Sequence, residues 1–166
     1  MYSSKGIIFT NKARCRDCYR CLRNCPVNAI KLSDGQAYVD EEKCILCGTC
    51  LKECPQQAKA FRRDIEKVKK LIRENEKIAV SIAPSFPAIF ENWQANRLPS
   101  VLRKLGFTYI SETAEAAYYV AEETEKYFNE SGHPLCISTA CPSLVFYVEK
   151  YEEVNIDNLV HLNYGY

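Results

Sequence analysis

Two copies of one cysteine spacing constrain this chain more than anything else in it: Cys15-x-x-Cys18-x-x-Cys21-x-x-x-Cys25-Pro26 and Cys44-x-x-Cys47-x-x-Cys50-x-x-x-Cys54-Pro55. The likeness runs past the cysteines, with Pro26-Val27-Asn28-Ala29-Ile30 answering Pro55-Gln56-Gln57-Ala58-Lys59. Eight of the ten cysteines fall in these copies, and Cys136 and Cys141 come much later. Such density in a secreted mini-protein would mean disulfides. The stretch from Met1 to Asn11 has no apolar core and no small-residue cleavage pattern, so the chain is expected to be cytoplasmic and its thiols to bind metal.

Triplets of closely spaced thiolates, each followed by a fourth cysteine before proline, match the two-cluster ferredoxin pattern, in which the fourth cysteine of each copy crosses to the other cluster. The expectation is two [4Fe–4S] clusters, one on Cys15, Cys18, Cys21 and Cys54 and the other on Cys44, Cys47, Cys50 and Cys25. Three thiolates wrap a loop round one face of a cubane and leave amide hydrogens aimed at its sulfurs, which helps set the potential. Zinc is the weaker reading, because it takes well-separated C-x-x-C pairs. A ferredoxin-type module over 1–60 follows, with strands at Ile7 to Thr10 and Gln36 to Val39 and short helical turns after Cys18 and Cys47. Its core is small, so cluster binding must supply much of its folding free energy.

The pattern changes after Ala60. Residues 61–76 read as a connecting helix, with Ile65, Val68, Leu71 and Ile72 at helical spacing among charges. Beyond it, 77–166 alternates: a strand at Lys77 to Ile82, a helix near Pro99 to Leu105, and a strand at Phe107 to Ile110. A long helix from Glu112 to about Phe128 follows with Ser111 as N-cap, then a third strand at Leu135 to Ser138 and a helix at Ser143 to Tyr151. Alternation implies a parallel α/β layer whose ligands gather at the carboxyl ends of the strands. Ala83-Pro84-Ser85 and Thr139-Ala140-Cys141-Pro142 should then share one edge. The fold class is α+β, a ferredoxin-like domain followed by a partial parallel-sheet segment.

Cys141 stands between a strand end and a helix start, where the helix dipole favours a thiolate; it reads equally as a metal ligand or as a buried structural thiol. Cys136 reads as core packing, His133 as an exposed turn residue, and Phe86, Phe90 and Trp93 as core. With 47% hydrophobic and 26% charged residues the chain is of soluble globular type, and no stretch of about 18 apolar residues suggests a membrane span. A net charge of +1 gives no reason to expect nucleic acid. The basic residues between Lys59 and Arg73 read as a solvated helix face before they read as a docking site for an acidic partner.

Together with the cysteine module, Ser81-Ile82-Ala83-Pro84-Ser85, the run Leu98-Pro99-Ser100-Val101-Leu102-Arg103-Lys104-Leu105-Gly106-Phe107, and Ser138-Thr139-Ala140-Cys141-Pro142 followed by Val148-Glu149-Lys150-Tyr151 resemble the [FeFe]-hydrogenases. The likeness covers nearly the whole chain. In that family a T-S-C-C-P motif supplies a proton-relay cysteine and then a ligand of the H-cluster. The resemblance implies that Cys141 matches the ligand and that Ala140 replaces the relay, as in the sensory branch of the family, so fast hydrogen turnover is not expected. The family draws three further H-cluster cysteines from later motifs, none follows Cys141 here, and Val160 to Tyr166 leaves the family pattern.

The resulting expectation is a fragment or early-ended product: the electron-relay and first-ligand portion of a sensory-type hydrogenase, inactive alone, with an H-cluster only if downstream sequence is supplied. Its partners would be a redox protein, as donor or acceptor, and a signalling protein. The alternative is a stand-alone electron carrier or redox-responsive module whose second segment docks a partner.

Overall fold

The computed structural model describes residues 6–74, 77–132 and 134–160. In chain order its elements are β1 (Ile8–Thr10), α1 (Arg20–Arg23), β2 (Ile30–Ser33), β3 (Gln36–Val39), α2 (Thr49–Glu53) and β4 (Lys59–Phe61). There follow α3 (Ile65–Glu74), β5 (Ala79–Ile82), α4 (Asn92–Ala95), α5 (Leu98–Leu105), β6 (Tyr109–Glu112), α6 (Thr113–Ser131) and α7 (Pro142–Tyr151). The mixture is α+β, and the chain divides into two compact units: among the described residues, one comprises 6–62 with 134–160 and the other 63–132.

The first unit is built on the duplication. Strands β1 and β4 pair antiparallel with Thr10 opposite Lys59, and β2 and β3 pair antiparallel with Ile30 opposite Val39. Cys15 and Cys44 are 29 residues apart, and the same offset relates these two cross-strand pairs. The offset reaches down to single hydrogen bonds. Asn11 N–H donates to Ala58 O at 2.7 Å and Asp40 N–H to Ala29 O at 2.8 Å. Cys15 N–H donates to Asn11 O at 3.2 Å and Cys44 N–H to Asp40 O at 2.9 Å, while the Asn11 and Asp40 side chains accept from Ala13 and Glu42. Ile8, Ala29, Ile30, Ala37, Cys21, Cys44 and Cys50 form the buried core.

Helix α7 packs in the same unit. Its Lys150 and Tyr151 bond to backbone carbonyls of the second cysteine loop, and Val148 is buried. The third strand expected at Leu135 to Ser138 does not form. Ile137 makes a single parallel bridge to Leu159, held by Ile137 N–H to Asn158 O and Val160 N–H to Ile137 O. Leu159 and Val160 are almost fully buried and anchor this stretch by burial rather than by a ladder.

In the second unit β5 and β6 pair in parallel, Ala79 opposite Tyr109 through Ile82 opposite Glu112. Strand β6 starts two residues later than the expected Phe107, because Gly106 turns the chain in the left-handed region as it leaves α5. Ser111 belongs to that strand, so the N-cap of α6 is Glu112, and its side chain makes no capping bond. Nor are all the expected core aromatics buried: Phe86 is half-buried, but Phe90 is 37% and Trp93 56% exposed. Trp93 finds partners at the surface instead, donating to Glu91 Oε2 at 2.7 Å with the Arg97 guanidinium over its ring. Ile65, Val68 and Leu71, on the apolar stripe of α3, are exposed, while Ile72 is half-buried.

Candidate iron-sulfur centre

Each cysteine loop is shaped by left-handed backbone at matching places. Asp17 and Leu46, Tyr19 and Gly48, and Asn28 and Gln57 all have positive φ, and each pair is 29 residues apart. Five of these six are not glycine, and such residues are uncommon in this region and cost on the order of 1 kcal/mol each. Alternating handedness turns successive amides to the inside of the loop, the concave arrangement that receives anions.

Some amides do point at sulfur. Ala29 N–H donates to Cys25 Sγ and Ala58 N–H to Cys54 Sγ, both at 3.2 Å, and Leu46 N–H to Cys44 Sγ at 3.4 Å. Donors aimed at a sulfur favour its thiolate form.

The eight cysteines border two voids. Cys15, Cys18, Cys21 and Cys54 line the first; Cys44, Cys47, Cys50 and Cys25 line the second. Each void therefore takes three cysteines from one copy and the fourth from the other. Among the described residues no group of three or more Cys, His, Asp or Glu is arranged to hold a single metal ion. Four thiols facing one void are the donor set that a [4Fe–4S] cluster takes.

Burial dominates the electrostatics of the bare thiols. It pushes Cys50 up to about 11, with Lys59 opposing, and raises Cys21 and Cys44 as well. Buried thiols of this kind become stable thiolates only when positive charge is bound beside them.

Cys141 is exposed at the N-cap of α7, so the buried structural thiol is ruled out for it. Ala140 is exposed and its N–H donates to Ser138 Oγ at 3.4 Å. Cys136 is half-buried in the bridged stretch and is not a core residue of a strand. His133 and the chain from His161 onward lie outside the described residues. In the second unit an open depression of about 330 Å³ lies at the carboxyl ends of β5 and β6, bordered by Ile82, Arg103, Glu112 and Glu115. The Ser81 and Thr113 hydroxyls meet at 2.6 Å.

Sequence reasoning passed over Lys59, Lys150 and Tyr151 as parts of this centre. Lys59 was detectable, since superposing the two copies puts it where the first has Ile30. Nothing local marks Lys150 or Tyr151, whose carbonyl partners lie more than 100 residues away.

Comparison with known families bears on both parts of the chain. The model of a 4Fe-4S dicluster domain matches residues 14–58. That of the iron-only hydrogenase large subunit, C-terminal domain, matches 76–163, more than half of the chain. The chain belongs to the iron-only hydrogenase large-subunit family. It joins an iron-sulfur electron-transfer domain to a hydrogenase-type segment. No individual curated protein matches it significantly. Among the described residues no helix is long and apolar enough to cross a membrane.

Proposed function

We propose that this chain is the electron-relay and first-ligand portion of a sensory-type iron-only hydrogenase. Cys15, Cys18, Cys21 and Cys54 hold one [4Fe–4S] cluster, and Cys44, Cys47, Cys50 and Cys25 hold the second. The observation that carries this reading is the exchange of fourth cysteines between the two voids. When bound, such clusters supply reversible one-electron transfer. The protein's part is to provide eight thiolates, to direct the Ala29, Leu46 and Ala58 amides at their sulfurs, and to keep much of each site from water.

Cys141 is the first ligand of an H-cluster, and no cysteine follows it among these 166 residues, so the ligand set is incomplete within them. The exposure of its thiol at a helix start suits that role. Ala140 offers only a methyl group where the family carries a proton-relay thiol, and a methyl group cannot exchange a proton. The reading is therefore slow turnover and a reporting role in the cytoplasm, with a redox protein as electron partner and a signalling protein downstream.

The test is anaerobic purification of the whole chain with assay of iron and acid-labile sulfide. About eight of each per chain are expected. Cys54→Ser and Cys25→Ser should each lower the content by about half. Zinc without labile sulfide would end the cluster reading, and hydrogen evolution by the dithionite-reduced 166-residue chain would end the reading of Cys141 as part of an incomplete site.

A further inference from the structure

The two copies differ in charge at one buried position. Lys59 is 5% exposed, donates from Nζ to Thr10 Oγ1 at 2.6 Å, and borders the void of Cys15, Cys18, Cys21 and Cys54. Its counterpart Ile30, 29 residues earlier and 6% exposed, borders the other void. Val39 takes the place of Thr10. One site is thus walled by an ammonium where its duplicate is walled by hydrocarbon.

Other charges nearby are less buried than Lys59. Arg16 and Asp17 also border the first void, but both are exposed and opposite in sign. Lys150 is near the second quartet, yet it is half-buried, lines neither void, and is turned to the Glu41 and Cys44 carbonyls. A buried charge is screened far less than an exposed one.

We propose that Lys59 makes the duplicated relay electrically unequal, favouring an electron on the cluster of Cys15, Cys18, Cys21 and Cys54 over one on the cluster of Cys44, Cys47, Cys50 and Cys25. This rests on the reading that each quartet holds a [4Fe–4S] cluster. An external one-electron reductant adds one negative charge to the cluster it reduces; no bond forms or breaks and no proton moves. Net charge around such a cluster is one of the determinants of its potential. A fixed cation stabilises the reduced form and so raises the potential of its own cluster most. Lys59 faces Cys50 of the second quartet as well as Cys21 of the first, so its charge is felt at both clusters.

The test is a dithionite titration of the full chain with redox mediators, followed by electron paramagnetic resonance. Proton NMR of the cysteine β-methylenes reports which cluster is reduced. In the unsubstituted protein the Cys15 quartet should reduce first. Lys59→Met and Lys59→Ile should move that wave to lower potential and narrow the gap between the two. Lys59→Arg should leave it in place, and Ile30→Lys should raise the other wave. Unmoved waves in Lys59→Met with full iron and sulfide would overturn the proposal, as would a shift in Lys59→Arg equal to that in Lys59→Met. If the neutral variants fail to hold clusters, Ile30→Lys decides, and unchanged waves there count against it. Absence of labile sulfide from the unsubstituted protein would instead refute the two-cluster reading on which the proposal rests.

Discussion

The Lys150 ammonium donates to the Cys44 carbonyl oxygen at 2.8 Å, across 106 residues of sequence. It also donates to Glu41 O at 3.1 Å and lies 5.2 Å from the centre of the Phe146 ring. Lys150→Met keeps the aliphatic stem and leaves two carbonyls without this donor. The expected loss is about 1–3 kcal/mol, measured by denaturant unfolding, with faster bleaching of the visible iron-sulfur absorption. Unchanged unfolding would show that α7 is held by its apolar face alone.

Tyr151 ties the same helix to the same loop. Its hydroxyl donates to Lys43 O at 2.8 Å, and burial raises its pKa above the usual tyrosine value. Tyr151→Phe removes that bond and the longer contact of the same hydroxyl with Val27 O at 3.4 Å, so a smaller loss is expected than for Lys150→Met, about 1 kcal/mol in the same unfolding experiment.

These two contacts also mark what could be read from sequence. The cysteine loops were legible because ligand spacing is a local property, and β3 and both short helices fall where the motif puts them. Strand β2 went unread, since Ile30-Lys-Leu-Ser follows the Cys25-Pro26 motif directly and only its pairing with β3 marks it as a strand. The third strand of an α/β layer was expected from the apolar run at Leu135, yet apolar runs report burial and not pairing, and Ile137 finds Leu159. Phe90 and Trp93 misled for the related reason that aromatic identity does not establish depth.

Acid should expose the ion pair of Lys31 and Asp40. The hydrogen bond from Lys31 holds the Asp40 carboxyl below the usual carboxylate range, and the same bond raises Lys31. A lowered carboxylate stabilises the fold above its unfolded pKa of about 3.9 and loses that contribution as pH falls through the folded value. A raised lysine contributes fully below its unfolded pKa of about 10.4 and loses this as pH climbs through the folded value. The stability gap between the parent chain and Asp40→Asn should therefore be present at neutral pH and close in acid. A gap constant down to strong acid would show that the pair is not its source.

Gly106 ends α5 at φ 109°, and a β-carbon there would come within 2.8 Å of Ile72 Cγ2 on α3. Gly106→Ala combines backbone strain with this overlap and should destabilise the second unit by about 1–3 kcal/mol in thermal unfolding. Ile72→Leu, which carries no Cγ2, should recover part of that loss relative to its own single-variant baseline if the overlap matters, and none of it if strain alone is responsible.

Gly48 has φ 76° and borders the void of Cys44, Cys47, Cys50 and Cys25, with no other residue within 4 Å of where a β-carbon would go. Gly48→Ala should cost about 1 kcal/mol with iron and sulfide content unchanged. A loss of cluster from this variant would mean that the left-handed turn is needed for assembly and not only for stability.

The hydrogen bonds that link Asn11 to Ala58 and Asp40 to Ala29 run between the copies and not within them. A chain severed in the turn at Asp34-Gly35 would yield two pieces, each bearing three thiols of one wall and the lone fourth of the other. Neither piece could close a site by itself. Mixed together they have every group needed to reassemble in trans, so the duplication behaves as a pair of complementary halves joined by a tether.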